Sequence, residues 1–156
     1  MSIEKVTEYF KTLGIENRIQ TFEVSSATVE LAAKAVGTEG ARIAKTLSFM
    51  LQAGPVLIVA AGDARIDNKK YKATFSQKAK MLTHEQAVEL IGHAVGGVCP
   101  FAVNEGVRIY LDESLKRFET VFPACGSSNS AIEVTIAELE EFSKSDNWVD
   151  VCKIPE

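Results

Sequence analysis

The chain has 156 residues, of which 46% are hydrophobic and 24% charged, with a net charge of -4. That length fits about one domain with a core of its own, and no apolar run approaches the roughly 20 residues that a membrane-spanning helix needs. Three cysteines (Cys99, Cys125 and Cys152), an odd number without CxxC spacing, argue against a disulfide framework and against a zinc site.

The opening "MSIEKVTEYFKTLG" places Ile3, Val6, Phe10 and Leu13 at helical spacing and stops at Gly14. Its mixture of charged and apolar residues is unlike a secretory signal and predicts a cytoplasmic protein. "IQTFEV" alternates like a short strand, and Thr28 is the expected N-cap of a helix "VELAAKAV" that ends at Gly37. "RIAKTLSFML" then opens a strand in which Lys45 shares a face with Leu47, Phe49 and Leu51. An ammonium on an apolar face either snorkels to water or borders a cavity, and periodicity leaves both open. Gly54 and Pro55 predict a turn, and "VLIVAAG" reads as a fully buried strand antiparallel to the first.

The next stretch, "DARIDNKKYKATFSQKAK", carries six basic residues (Arg65, Lys69, Lys70, Lys72, Lys78 and Lys80) against Asp63 and Asp67. It predicts one or two helices, and either a polyanion contact or a solvated helix face explains its charge. The tail from Glu133 onward is acidic. "THEQAVELIG" carries a capping box, Thr83 with Gln86. "HAVGGVCPFAV" is an apolar stretch broken by Gly96, Gly97 and Pro100. "VRIYL" predicts a strand, "DESLKRF" a short helix capped by Asp112, and "TVFPA" another strand. "CGSSNS" is a polar loop, "AIEV" a strand, "TIAELEEF" a helix with Thr135 and Glu138 as capping box, and "WVDVC" a last strand. Irregular interleaving of strands and helices predicts an α+β fold, one domain around a mixed, strongly curved, barrel-like sheet.

No GxSxG elbow, Walker loop, GxGxxG or HExxH occurs in the sequence. Cys99 with His93 is a conceivable nucleophile pair. His84 and His93 otherwise read as structural or surface residues. The "VGGVCPF" loop can aim backbone N–H groups at a ligand oxygen, or simply bend the chain between two strands.

Together, "RIAKTLSF", "VGGVCPF" and the "ACGSS" loop followed by "AIEV" resemble, in order and separation, the YbaK/ProX type of prolyl-tRNA editing proteins, which are aminoacyl-tRNA deacylases. The resemblance runs from about residue 20 to 152. It implies that Lys45 is the active-site lysine engaging the 3' end of an acylated tRNA, with Thr46 beside it. It implies that the loop from Gly96 through Gly97, Val98 and Cys99 to Pro100 positions the aminoacyl ester, with Gly96 and Pro100 grouped with Lys45 as catalytic. Phe22 and Thr28 match positions shaping the amino-acid pocket, and Gly126, Ser127 and Ser128 fall in the third loop of the site. Lys69, Lys70 and Lys72 are the expected tRNA contacts.

No metal or organic cofactor is implied; the implied partners are the tRNA acceptor end and, as a further candidate, prolyl-tRNA synthetase. The implied activity is deacylation in trans of mischarged tRNA, tRNA(Pro) first, with a noncatalytic module binding a tRNA end or a synthetase as the alternative. Cysteinyl-tRNA(Pro) deacylases of this type tend to carry a serine, paired glycines and an aspartate through the third loop. Ala124 and Ala131 stand near the serine and aspartate positions here, which leaves alanine, cysteine, serine or another small amino acid open as the substrate.

Overall fold

The hairpin read from "RIAKTLSFML" and "VLIVAAG" is the centre of the architecture. A computed structural model describes residues 2–94 and 96–155. In chain order the first half comprises α1 (Ser2–Thr12), β1 (Gln20–Thr21), α2 (Val29–Val36), β2 (Ile43–Leu51), β3 (Gly54–Ala61), β4 (Arg65–Ile66), α3 (Asn68–Phe75) and α4 (His84–Gln86). The second half comprises β5 (Arg108–Asp112), β6 (Thr120–Pro123), β7 (Ser130–Ala131), β8 (Val134–Thr135), α5 (Ile136–Ser143), β9 (Asn147–Val149) and β10 (Cys152–Lys153).

Six strands form one mixed, curled sheet in the order β8-β6-β2-β3-β5-β9. β2 and β3 pair antiparallel from Ala44↔Ala61 to Leu51↔Gly54, whereas β2 with β6, β3 with β5 and β5 with β9 run parallel. The apolar run of β3 explains its central position: Val56 through Ala61 are all essentially inaccessible, so both faces of that strand are covered. Val6 and Phe10 bury one face of α1 in the same core, where Phe10 meets Phe101 edge-on with ring centroids 4.9 Å apart.

Local signals decide the helix ends. Thr28 accepts the Leu31 N–H at 3.1 Å, and Gly37 closes α2 in the left-handed conformation at φ 75°. Both capping boxes form, Thr83 with Gln86 and Thr135 with Glu138. Several expectations need correction. The turn falls at Gln52 and Ala53; Gly54 and Pro55 already belong to β3. Proline is tolerated there because Met50, its partner, sends its own N–H away from β3 to the Lys80 carbonyl at 2.8 Å. "IQTFEV" contributes only two strand residues, whereas the basic stretch does form one helix, α3, as anticipated, preceded by β4 and followed by an extended run. α4 continues as a π-helical turn over Ala87–Ile91, and the Asp112-capped segment Glu113–Arg117 is 3-10 helical. "AIEV" and "WVDVC" each split into two short strands.

The acidic tail is largely structural. Arg18 grips Glu138 through both terminal nitrogens at 2.9 and 3.0 Å, and the Thr135 N–H donates to the same carboxylate at 2.9 Å. Those bonds, the guanidinium first, hold the Glu138 carboxyl at about 2, well below its ordinary 4.5. The folded state therefore binds fewer protons than the unfolded chain in that window, and this share of stability disappears as pH falls from about 4.5 towards 2. Glu138→Gln is expected to lower stability at neutral pH and to flatten the acid limb of a urea-unfolding series; parallel acid limbs for the two proteins would overturn the assignment.

Candidate active site

A cavity of about 480 Å³ opens where α2, β2, the glycine loop and the third loop meet. Its walls come from Ser26 to Val29 with Ala32 on one side, Ile43 to Ser48 of β2, a lip of Met81, Leu82 and His84, then Gly96 with Val98, and Phe122, Ala124, Ser130 and Ala131. Lys45, Thr46, Thr28, Gly96 and Val98, all anticipated from the sequence, are thereby brought together.

Lys45 is half-buried, and backbone carbonyls rather than a carboxylate receive its ammonium. Its ammonium donates to the backbone carbonyls of Gly62, at 3.3 Å, and Ala64. Asp63, between those two residues, is committed to Arg117 by a two-pronged pair at 2.6 and 3.0 Å. An ammonium has three N–H donors, so this tether leaves one donor and the positive charge for a ligand. Burial pushes the Lys45 pKa below the ordinary lysine value, the nearby Asp63 partly opposing the shift. Thr46 Oγ1 is buried in the same wall without a protein partner.

The glycine loop is shaped by close packing. Gly96 sits at φ 96°, a left-handed conformation that favours glycine. A Cβ on Gly97 would lie 2.8 Å from the Gly126 carbonyl carbon and the Ser127 nitrogen, so two site loops touch backbone to backbone there. The Gly97 N–H donates to the Ala94 carbonyl at 2.9 Å. No acceptor among the described residues takes the N–H of Gly96 or Val98. Val95, at the head of the motif, lies outside the described residues.

Other anticipated residues stand behind the cavity wall rather than on it. Pro100 is buried outside the lining, as are Gly97 and Gly126. Ser127 and Ser128 do not line it either; the Ser128 carbonyl accepts from the Ser26 N–H at 2.6 Å and thereby ties the third loop to the segment before α2. Phe22 is held by Asn129, its N–H donating to the Asn129 carbonyl at 2.8 Å and its carbonyl accepting from the Asn129 side-chain amide at 3.0 Å. The third loop reaches the cavity instead through Ala124, Ser130 and Ala131.

Cys99 and His93 do meet, at 3.6 Å, but in the core and not at the cavity. His93 Nε2 lies 2.8 Å from the Phe101 carbonyl, burial lowers the pKa of the imidazole, and burial pushes the Cys99 thiol up to about 12. A buried thiol held that far from ionisation is no nucleophile. The basic helix stays outside the lining: no residue of α3 lines the cavity, and Lys70 is paired with Asp150 at 3.0 Å and with the Cys152 carbonyl at 2.9 Å, while Lys69 and Lys72 are exposed. Among the described residues no group of three or more His, Cys, Asp or Glu side chains is placed to hold a metal ion.

Sequence reasoning missed Ser26, Ser48, Met81, Phe122 and, above all, His84, which with Lys45 completes the titratable side chains on the wall. Only the pairing of the extended run after α3 with β2 brings Met81 and His84 there, and no local pattern reports that pairing.

Comparison with known proteins agrees with this geometry. Residues 23–142 match the family model described as aminoacyl-tRNA editing domain. YwhH of Bacillus subtilis, itself uncharacterised, is 56% identical over 154 residues, covering 98% of both chains. EbsC of Enterococcus faecalis, provisionally named a Cys-tRNA(Pro)/Cys-tRNA(Cys) deacylase, is 29% identical over 69% of this chain and 66% of its own. A crystal structure provisionally described as a trans-editing enzyme for prolyl-tRNA synthetase superposes with a TM-score of 0.87 at 29% identity, covering 97% of both chains. With the matched region spanning the tethered lysine, the glycine loop and the third loop, the chain belongs to the aminoacyl-tRNA editing domain family.

Proposed function

We propose that this protein is a freestanding cytoplasmic deacylase that hydrolyses, in trans, the ester of mischarged tRNA carrying a small non-cognate amino acid, with tRNA(Pro) as the first candidate. The observation that carries the reading is Lys45, its ammonium fixed by two carbonyls on the wall of a cavity of about 480 Å³ and left un-neutralised.

An aminoacyl ester is already activated, so hydrolysis requires a placed water, donors at the developing oxyanion and a grip on the tRNA terminus. Lys45 supplies the point charge. The uncommitted N–H groups of Gly96 and Val98 supply donors. Among the described residues no carboxylate or thiol lines the cavity, which makes His84, or the substrate's own ribose hydroxyl or amine, the group that takes the proton. Ala124 and Ala131, with Ala32, Ile43 and Phe122, make the far walls apolar. Such a pocket rejects larger side chains by overlap, whereas one methylene separates smaller ones by only about 1 to 3 kcal/mol.

The test is a panel of tRNAs mischarged with labelled alanine, cysteine, serine or proline. Release of a small amino acid from tRNA(Pro), with proline itself spared, is the expected result. Tight binding without release from any member would instead make the protein a noncatalytic tRNA-end module.

A further inference from the structure

Charge is divided across the mouth of the cavity. The segment from Phe22 to Glu30, which supplies one side, carries exposed Glu23 and Glu30 and no lysine or arginine. The opposite lip is the continuation of the extended run that leaves α3. That run is docked onto β2 by main-chain bonds, Met50 N–H to the Lys80 carbonyl at 2.8 Å and Leu82 N–H to the Ser48 carbonyl at 3.1 Å. Ala79 packs inward against the core, so Lys78 and Lys80 are both turned outward, immediately before Met81 and Leu82 of the cavity wall. Between Asp67 and Glu85 the chain has no acidic residue. Unlike Lys70, neither Lys78 nor Lys80 has a carboxylate partner among the described residues.

We infer that Lys78 and Lys80, rather than the lysines of α3, form the phosphate track along which the 3' strand of the acylated tRNA enters the cavity. The inference rests on the deacylase reading above and adds the direction of approach. In an extended chain residues i and i+2 share a side about 6.6 Å apart, which sets two ammonium groups in a row leading to the wall residues. Lysine grips phosphate as a point charge without reading a base, so the track positions any sequence and selects none. Glu23 and Glu30 disfavour the same strand on the other side, which fixes the polarity of the approach. Main-chain bonds hold the run in place, so its side chains are free to act on a ligand and to be replaced without unfolding the lip.

The salt dependence of binding tests this, with deacylated tRNA(Pro) transcript as the probe and three proteins: wild type, Lys78→Glu/Lys80→Glu and Lys69→Glu/Lys72→Glu. The lip variant is expected to bind at least tenfold more weakly at low salt and to lose about 1.5 from the slope of log K against log salt, close to the counterions released by two lysines. The α3 variant should keep the wild-type slope. Aminoacyl-adenosine, an ester without the upstream phosphates, should be hydrolysed by the lip variant within twofold of wild type. An unchanged slope in the lip variant, an equal loss in the α3 variant, or no binding by wild type would overturn the track. If wild type hydrolyses neither ester, the deacylase reading falls, while the slopes still decide the track.

Discussion

Gly62→Ala is expected to melt roughly 6 to 12 °C below the wild type. A Cβ at Gly62 would overlap the carbonyl oxygen of Gly40 and lie 2.8 Å from Val29 Cγ1, so the turn before β2 and the first turn of α2 both press on this position. Gly40 presents backbone, which cannot rotate aside as a flexible side chain would. Overpacking typically costs about 1 to 3 kcal/mol, and backbone on the receiving side places this variant at the upper end. For a chain of this size about 3 kcal/mol corresponds to a fall in Tm of roughly 6 to 12 °C. The carbonyl of the same residue accepts a hydrogen bond from Lys45, so a shift that relieves the clash also moves the ammonium. Gly40→Ala is the control, since its Cβ would meet only Val29 Cγ1, at 3.4 Å. A Gly62→Ala protein that melts with the wild type would show that the two turns are not in contact.

Lys45→Ala is expected to separate function from stability. Losing a fixed charge or donor that meets developing charge costs about 100- to 1000-fold in rate, so kcat/KM on a mischarged tRNA should fall by at least about 100-fold. Stability should change little. Burial already disfavours the ammonium, which offsets the two carbonyl bonds lost, and water can reach carbonyls vacated by a half-buried side chain. Urea unfolding of Lys45→Ala is therefore expected within about 1 kcal/mol of wild type, the net scale of one hydrogen bond. Lys45→Arg should fail to restore the rate, because a planar fork cannot keep both carbonyl tethers and also direct one donor inward. Full activity in Lys45→Ala would remove the central element of the mechanism.

What the sequence made legible was local. Thr28 with Gly37, Thr83 with Gln86 and Thr135 with Glu138 were readable because a cap is decided within four residues. The buried run of β3 was readable because a strand covered on both faces has no polar alternation. The three site motifs were recognisable as an ordered set, and Lys45, Thr46, Gly96 and Val98 do gather at one cavity. Which residues of a loop face that cavity was not readable, since it depends on distant partners. The third loop turns Gly126 to Ser128 away and presents Ala124, Ser130 and Ala131, because Ser26 holds the Ser128 carbonyl and Phe22 pairs with Asn129. For the same reason strand alternation put Lys45 on an apolar face without saying what would receive its charge. The acceptors, Gly62 and Ala64, lie on the far side of the β2–β3 hairpin. Gly62 itself reads only as the end of an apolar strand; its contact with Gly40 exists only after α2 and the hairpin have packed.

The packing of Gly126 ties the site to the start of the chain's first helix. A Cβ there would lie 2.8 Å from the carbonyl of Ser2 and 3.0 Å from the nitrogen of Ile3, and the Ser2 hydroxyl donates to the Gly126 carbonyl. The first turn of α1 is thus a backstop for the loop that Gly97 rests on. A change of backbone conformation at Ser2 would therefore be felt, through Gly126 and Gly97, at the wall beside Gly96.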